Sequence, residues 1–160
     1  MFRPTTPDDT PLLVAQATAT GMFKSYEIEA LQEVLDDYHA VNHSFGHVSR
    51  TSTDGDAVVG FAYFAPAAMT DHTWELWWIV VDPTRQGQGL GSTMLAEVER
   101  EVQVLGGRIL LIDTSSQPMY VQTRQFYFKH AYALVAQVPD FYADGDDKVI
   151  FGKRIATRPQ

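Results

Sequence analysis

The stretch Trp77-Trp78-Ile79-Val80-Val81-Asp82-Pro83-Thr84-Arg85-Gln86-Gly87-Gln88-Gly89-Leu90-Gly91 decides the fold of this chain. Five bulky apolar residues in succession, three of them β-branched, nominate a strand. Asp82-Pro83 ends it, because proline has no amide hydrogen to give to a ladder. Past a basic, glycine-dense turn, apolar residues fall at Leu90, Met94, Leu95, Val98, Val102 and Leu105, one face of an amphipathic helix. Gly106-Gly107 closes that helix. A strand feeding a glycine turn that opens a helix aims free N–H groups and the positive end of a helix dipole at one point. That predicts an anion site, most naturally for phosphate or pyrophosphate. The other reading is a glycine-rich turn that serves only tight packing.

The motif is defined as much by what it lacks. A Walker loop ends in Gly-Lys-Ser/Thr, whereas Ser92 follows Gly91 here with no lysine. A dinucleotide fingerprint needs a third glycine, and the positions where it would stand hold Ser92 or Met94. What remains is Gln86-x-x-Gly89-x-Gly91, preceded by Val81-Asp82-Pro83 and Arg85.

Working outward, 160 residues predict one domain, spanning 1–160, with one core. A 45% hydrophobic and 12% aromatic content supports a folded core and argues against disorder. No apolar run approaches the roughly 20 residues of a membrane helix, and Met1-Phe2-Arg3-Pro4 begins no secretory segment, so a soluble, cytoplasmic protein is expected. The absence of cysteine excludes disulfides and thiolate chemistry. A net charge of −8 disfavours nucleic acid as a partner and suits a cationic substrate somewhat better.

Phe2-Arg3-Pro4 reads as a short edge strand. Thr6, Pro7, Asp8 and Asp9 start a helix with Leu12, Leu13 and Ala17 toward the core, ending at Thr20-Gly21. Ser25 opens a second helix with Ile28, Leu31, Val34, Leu35 and Tyr38 on its apolar side. Phe45 to Thr51 and Val58 to Ala65 read as antiparallel strands around the turn Asp54-Gly55-Asp56. Thr73 to Val81 is the next strand. Arg108 to Asp113, almost wholly apolar, predicts a strand buried on both faces and parallel to its predecessor. Met119 to His130 reads as a fourth helix, and Ala133 to Val138 with Lys148 to Arg154 as a closing hairpin.

The glycine loop resembles the acyl-CoA pyrophosphate loop of the GNAT superfamily of N-acyltransferases, and the order β-α-α-β-β-β-α-β-α-β-β is that family's order. A second signature, Phe126-Tyr127-Phe128-Lys129-His130-Ala131-Tyr132, is similar to the family's Phe-Tyr-x-Lys-x-Gly-Phe helix end. Ala131 departs from it where glycine is usual, and Tyr120 stands where many members have a cofactor-contacting asparagine. The resemblance implies an α/β (in some schemes α+β) fold, with a mixed, mostly antiparallel sheet of about seven strands flanked by four helices. It implies acetyl-CoA as acyl donor and an amine, small-molecule or peptide, as acceptor. It also implies that the first two helices line the acceptor pocket, and that dimers through the C-terminal strands are common.

On that resemblance, main chain at Ile79, Val80 and Val81 binds pantetheine and the acyl carbonyl. The segment Arg85, Gln86, Gly87, Gln88, Gly89, Leu90, Gly91 and Ser92 holds the pyrophosphate. Tyr127 matches the tyrosine that protonates the leaving thiolate. A tyrosine of ordinary pKa, about 10, is protonated at neutral pH and suits that role. The bland reading is a packed aromatic, since one of Phe126, Tyr127 and Phe128 must be core. Strand alternation puts Thr73, Glu75 and Trp77 on one face and Trp74, Leu76 and Trp78 on the other. Glu75 could accept the substrate's proton or be a structural charge; Asp113, at a strand end, is a second base candidate. The histidines show no metal spacing and Ser115-Ser116 lacks a nucleophile elbow, so neither a metal nor a serine hydrolase is expected. A silent acyl-CoA-binding module, or a flavin- or nucleotide-binding domain, is the rival reading.

Overall fold

The computed structural model describes residues 1–156, so the last four residues of the expected 1–160 domain lie outside the described residues. The strands are β1 (Phe2–Pro4), β2 (Val48–Asp54), β3 (Ala57–Pro66), β4 (Thr73–Val81), β5 (Ile109–Ser115), β6 (Ala133–Ala143) and β7 (Asp146–Arg154). The helices are α1 (Thr10–Ala19), α2 (Ser25–Ala40), α3 (Leu90–Val104) and α4 (Val121–Lys129). The strand order is β1-β2-β3-β4-β5-β7-β6, with β4 and β5 parallel. The expected order and the mixed, mostly antiparallel seven-stranded sheet with four helices are therefore present. The chain forms two compact units, Met1–Pro66 with Trp77–Val98, and Ala67–Leu76 with the chain from Glu99 onward.

In the first unit, α1 and α2 bury Leu13, Ala17, Leu31, Leu35 and Tyr38 in one cluster with Phe61, Tyr63 and Val80. Burying each large side chain of this kind is worth roughly 1.5–3 kcal/mol. Leu12, expected in that core, is exposed. Pro7–Asp9 form a separate 3₁₀ turn before α1, and the inward face of the helix runs through Thr10, Leu13 and Ala17. Asp9 is more than a dipole partner. Its buried carboxylate takes a bidentate pair of hydrogen bonds from Arg3, at 2.7 and 2.8 Å, and another from the Thr6 amide at 2.8 Å.

The expected start of β2 at Phe45 is corrected. Phe45 lies in a 3₁₀ turn, Asn42–Phe45, is 68% exposed, and is followed by Gly46 at φ +85°. That left-handed residue turns the chain before it can extend, and β2 begins at Val48. The hairpin turn closes with Asp54 opposite Ala57 and Gly55 at φ +59°. Between Ser52 and Thr53 the register shifts, so that Ser52 faces Gly60 while Thr53 faces Val58. The skipped residue, Val59, gives its carbonyl to the Asp82 amide at 2.9 Å.

In the second unit, β5 pairs in parallel with β4 from Thr73↔Ile109 to Leu76↔Ile112. The strand is not buried on both faces as expected: Leu110 and Ile112 are buried, Ile109 and Leu111 are partly so, and Asp113 is exposed. Leu105 is also exposed, because α3 ends at Val104. Gly106, at φ +80°, turns the chain there, and the Gly107 amide donates back to the Val102 carbonyl at 2.7 Å. The expected helix from Met119 begins instead as a 3₁₀ turn, Pro118–Tyr120, and α4 stops at Lys129. β6 runs five residues beyond its expected end at Val138, with a register shift between Val138 and Ala143. Within that shift the Asp140 amide donates to Asp147 Oδ1 at 2.9 Å and the Gly145 amide to Asp140 Oδ1 at 2.7 Å. Asp140 and Asp147 are thus engaged with main chain at the head of the hairpin.

Candidate active site

In the first unit the glycine loop is rooted by Asp82. Its carboxylate accepts from the Thr84 amide and hydroxyl, each at 2.8 Å, and from Gln16 Nε2 of α1 at 3.2 Å. The Thr84 hydroxyl and then its amide hold the Asp82 carboxyl below the usual carboxylate range. The Arg85 amide returns to the Asp82 carbonyl at 2.8 Å, closing a 3₁₀ turn over Pro83–Arg85. Gln86 is extended, and Gly87 and Gly89 take φ of +76° and +78°. A Cβ built at either glycine meets nothing within 4 Å, so backbone conformation, not crowding, requires glycine there. The loop is open above these residues, as an anion cradle must be.

Thr93 bonds back to the Gly89 carbonyl at 3.1 Å, which sets the first turn of α3 immediately after the loop. The amides of Leu90 and Gly91 fall in that first turn, where an α-helix offers no carbonyl partner. Gln86, Gly87, Gln88 and Gly89 are exposed and Leu90, Gly91 and Ser92 partly so. Arg85 is committed elsewhere: its guanidinium pairs with Asp54 of the β2–β3 hairpin, and its Nε donates to Gln88 Oε1 at 3.3 Å. The remaining donors of the five-donor fork are open to an anion.

The strand leading into the loop is held against β3 at Gly60. A Cβ there would lie 2.3 Å from the Val80 carbonyl oxygen and 3.1 Å from Met94 Sδ of α3. Only glycine lets the two backbones and the helix approach this closely. Val80 is buried, while Ile79 and Val81 are partly exposed. Trp77 packs on Tyr63 with ring centroids 5.4 Å apart, and its neighbour Trp78 packs on the cluster that contains Tyr63 and meets Phe23 at 4.9 Å with the rings tilted. The sequence reading missed Gly60, Asp54 and Gln16. An isolated glycine within an apolar strand was the available signal for the first; the other two contacts are long-range and leave no local pattern.

In the second unit, Tyr127 of α4 is 4% exposed, its ring packed on Phe126, Tyr132 and Phe151 at 5.5, 5.9 and 5.5 Å. It is the core member of the aromatic triplet, whereas Phe128 is exposed. Its hydroxyl makes no hydrogen bond to another described residue, and burial pushes the phenol well above its ordinary range, keeping it protonated at neutral pH. Below it, Ala131 takes φ +65° and the Tyr132 amide closes on the Tyr127 carbonyl.

The two carboxylate candidates differ. Asp113 is paired with Lys148 Nζ at 3.0 Å, and that ammonium also sits 4.4 Å over the Phe141 ring. Glu75, partly buried on β4 opposite Leu111, has no hydrogen-bond or ion-pair partner among the described residues. Among the described residues no cluster of histidine and carboxylate side chains could hold a metal, and no helix is long and apolar enough to cross a membrane.

Residues 13–128 match the family model described as acetyltransferase (GNAT) family. A solved structure from Desulfovibrio desulfuricans assigned to the GNAT acetyltransferases is 35% identical, with 98% of this chain and 99% of that one covered and a TM-score of 0.92. An aminoglycoside 6′-N-acetyltransferase complexed with coenzyme A shares the fold at 19% identity, 100% and 99% coverage and a TM-score of 0.76. So does a Salmonella typhimurium protein described as an acetyltransferase with its cofactor acetyl-CoA, at 16% identity, 100% and 96% coverage and a TM-score of 0.76. No curated protein matches significantly.

Proposed function

The chain belongs to the GNAT acetyltransferase family, and from that premise we propose that it transfers an acetyl group from acetyl-CoA to a primary amine by direct attack in a ternary complex. The observation that carries this reading is the loop Gln86–Gly91. Two left-handed glycines leave open space above a run of amides at the start of α3, the donor set a pyrophosphate needs. The family match crosses both units, which supports reading 1–160 as one catalytic domain.

When bound, acetyl-CoA supplies a thioester whose carbonyl carbon an amine can attack. The chain's own residues then have separate tasks. Amides from Gln86 to Ser92, with Arg85, hold the pyrophosphate, and main chain at Ile79, Val80 and Val81 orients the acyl arm. Glu75, unpaired, receives the proton of the acceptor ammonium directly or through water. Tyr127 gives its proton to the departing thiolate. The acceptor is a small molecule or peptide bearing a primary amine. A relative by fold that is an aminoglycoside acetyltransferase supports the small-molecule class.

The test is thermal unfolding with acetyl-CoA, CoA, ATP, NAD and FMN, followed by thiol release across an amine panel. A ligand at about 100 times its Kd adds roughly 2.7 kcal/mol, so the CoA species alone should raise Tm. Tyr127→Phe should retain that shift and lower turnover by roughly 100-fold or more. CoA stabilisation without turnover of any amine would make the chain a binding module instead, and stabilisation by a different nucleotide would overturn the loop reading.

A further inference from the structure

Trp77 is 44% exposed, yet its ring is braced on two sides. Tyr63 packs against it at 5.4 Å with the rings tilted 34°, and the His47 imidazole meets it edge-on at 5.3 Å and 80°. The brace is itself held, since His47 Nδ1 and the Tyr63 hydroxyl are 2.6 Å apart. Tyr63 is fully buried and rests in turn on Tyr38 of α2 at 5.9 Å. A large π surface is thus presented on a braced ring, two residues before Ile79, or about 7 Å along an extended strand.

The chain uses aromatic faces for its own ammonium groups elsewhere. Lys24 sits over Tyr26, Lys148 over Phe141 and Lys153 over Tyr132. No lysine or arginine among the described residues occupies the face of Trp77, the ring type that binds cations best. The surroundings favour a cation too. Burial pushes the His47 imidazole below its ordinary value and the Tyr63 phenol up to about 12, so both flanking groups are neutral at neutral pH. The chain as a whole carries a net charge of −8.

We propose that Trp77, braced by Tyr63 and His47, is a cation–π seat for an organic ammonium, and that it selects acceptors carrying a positive charge besides the amine that reacts. The assignment of the ammonium to an acceptor rests on the acetyltransferase reading; the seat itself does not. Diamines and polyamines are the simplest members of the class. An exposed tryptophan with no ligand role would show no preference between a charged probe and an uncharged one of the same shape.

The first experiment therefore needs no turnover. Choline and its uncharged carbon isostere, dimethylbutanol, are titrated into the protein while the indole N–H resonances of its tryptophans are followed. The Trp77 resonance is assigned by its loss in Trp77→Phe. Choline should shift it and bind roughly 2- to 30-fold tighter than the isostere, the range expected of a cation–π contact. Trp77→Leu should abolish the preference and Trp77→Phe should keep part of it. Equal binding of the two probes, or a choline response that leaves Trp77 unmoved, overturns the seat. With an amine substrate in hand, the ratio of kcat/KM for a diamine over the monoamine of equal length should fall in Trp77→Leu. Choline binding by a protein that acetylates no amine of the panel would leave the seat standing and remove the acetyltransferase reading, so the two failures are distinguishable.

Discussion

The amide of Tyr132 donates to the carbonyl of Tyr127 at 3.0 Å, across an alanine held at φ +65°. This is the closure by which a helix ends on a left-handed residue, and Ala131 occupies the position that glycine fills best. The Cβ of an L-residue in that conformation costs roughly 1–2 kcal/mol. Ala131→Gly removes the cost but gives the unfolded chain more freedom. The expected net effect is a stabilisation of about 0.5–1 kcal/mol and a Tm higher by roughly 1–4 °C, with the end of α4 unchanged. Denaturant unfolding checks it, and a loss of stability would mean that the alanine methyl makes a contact worth more than its strain.

Asp9 provides a pH-dependent term. The Arg3 guanidinium, with the Thr6 amide and hydroxyl, holds its carboxyl well below the usual carboxylate range. A carboxylate with a lowered folded pKa contributes stability that is fully present above the unfolded value of about 3.9 and lost as pH falls through the folded one. Asp9→Asn should destabilise the protein by about 1–3 kcal/mol at neutral pH, with Arg3 left partly buried and unpaired. Its stability should also decline less steeply than that of the wild type as pH drops below about 4. Urea midpoints over a pH series test both parts, and parallel curves would show that Asp9 is not the titrating group.

The elements legible in the sequence were those written in local chemistry. β4, the glycine loop, α3 and the Gly106 stop follow one another as a strand run, left-handed residues and a helical period, each readable within a few positions. The errors arose at element boundaries, and where a partner on another strand decides. Phe45 looks like the first residue of a strand, but Gly46 turns the chain and leaves it in solvent. Leu12 and Leu105 fit helical periods that the true helix boundaries displace from the buried face. The extension of β6 past Pro139 depends on Asp140 and Asp147 satisfying amides across the hairpin, which no period reveals. In the candidate site the loop glycines were visible, while the Asp54–Arg85 pair and the fit at Gly60 exist only once β2, β3 and β4 are assembled.

Gly60 offers a sharp packing test. A methyl placed 2.3 Å from the Val80 carbonyl oxygen cannot be relieved by a rotamer change, because the obstacle is backbone. Gly60→Ala should therefore cost roughly 2–4 kcal/mol, in the upper range for single substitutions. The end of β4 should be pushed off β3, taking with it the amide of Asp82 that bonds Val59. Because Asp82 roots the glycine loop, the thermal shift with CoA should shrink beyond what the lower stability accounts for. A variant that folds normally and responds fully to CoA would show that the strand can retreat without moving the loop.

The Asp54–Arg85 pair sets an opposite sign for two neutralising substitutions. Arg85 is held at the hairpin by Asp54, whose side chain is 63% exposed, so the pair is weak and salt-sensitive. If Arg85 serves the pyrophosphate, the Asp54 carboxylate competes with the ligand for the charge of one guanidinium. Asp54→Asn should then tighten CoA binding by about 1.5- to 5-fold, the equivalent of a typical exposed ion pair, whereas Arg85→Ala should weaken it by a larger factor. Both effects should fade as ionic strength rises and the contacts are screened. Calorimetric titration of CoA at low and high salt separates the cases. Weaker binding in Asp54→Asn would mean that the pair positions Arg85 for the ligand instead of withholding it.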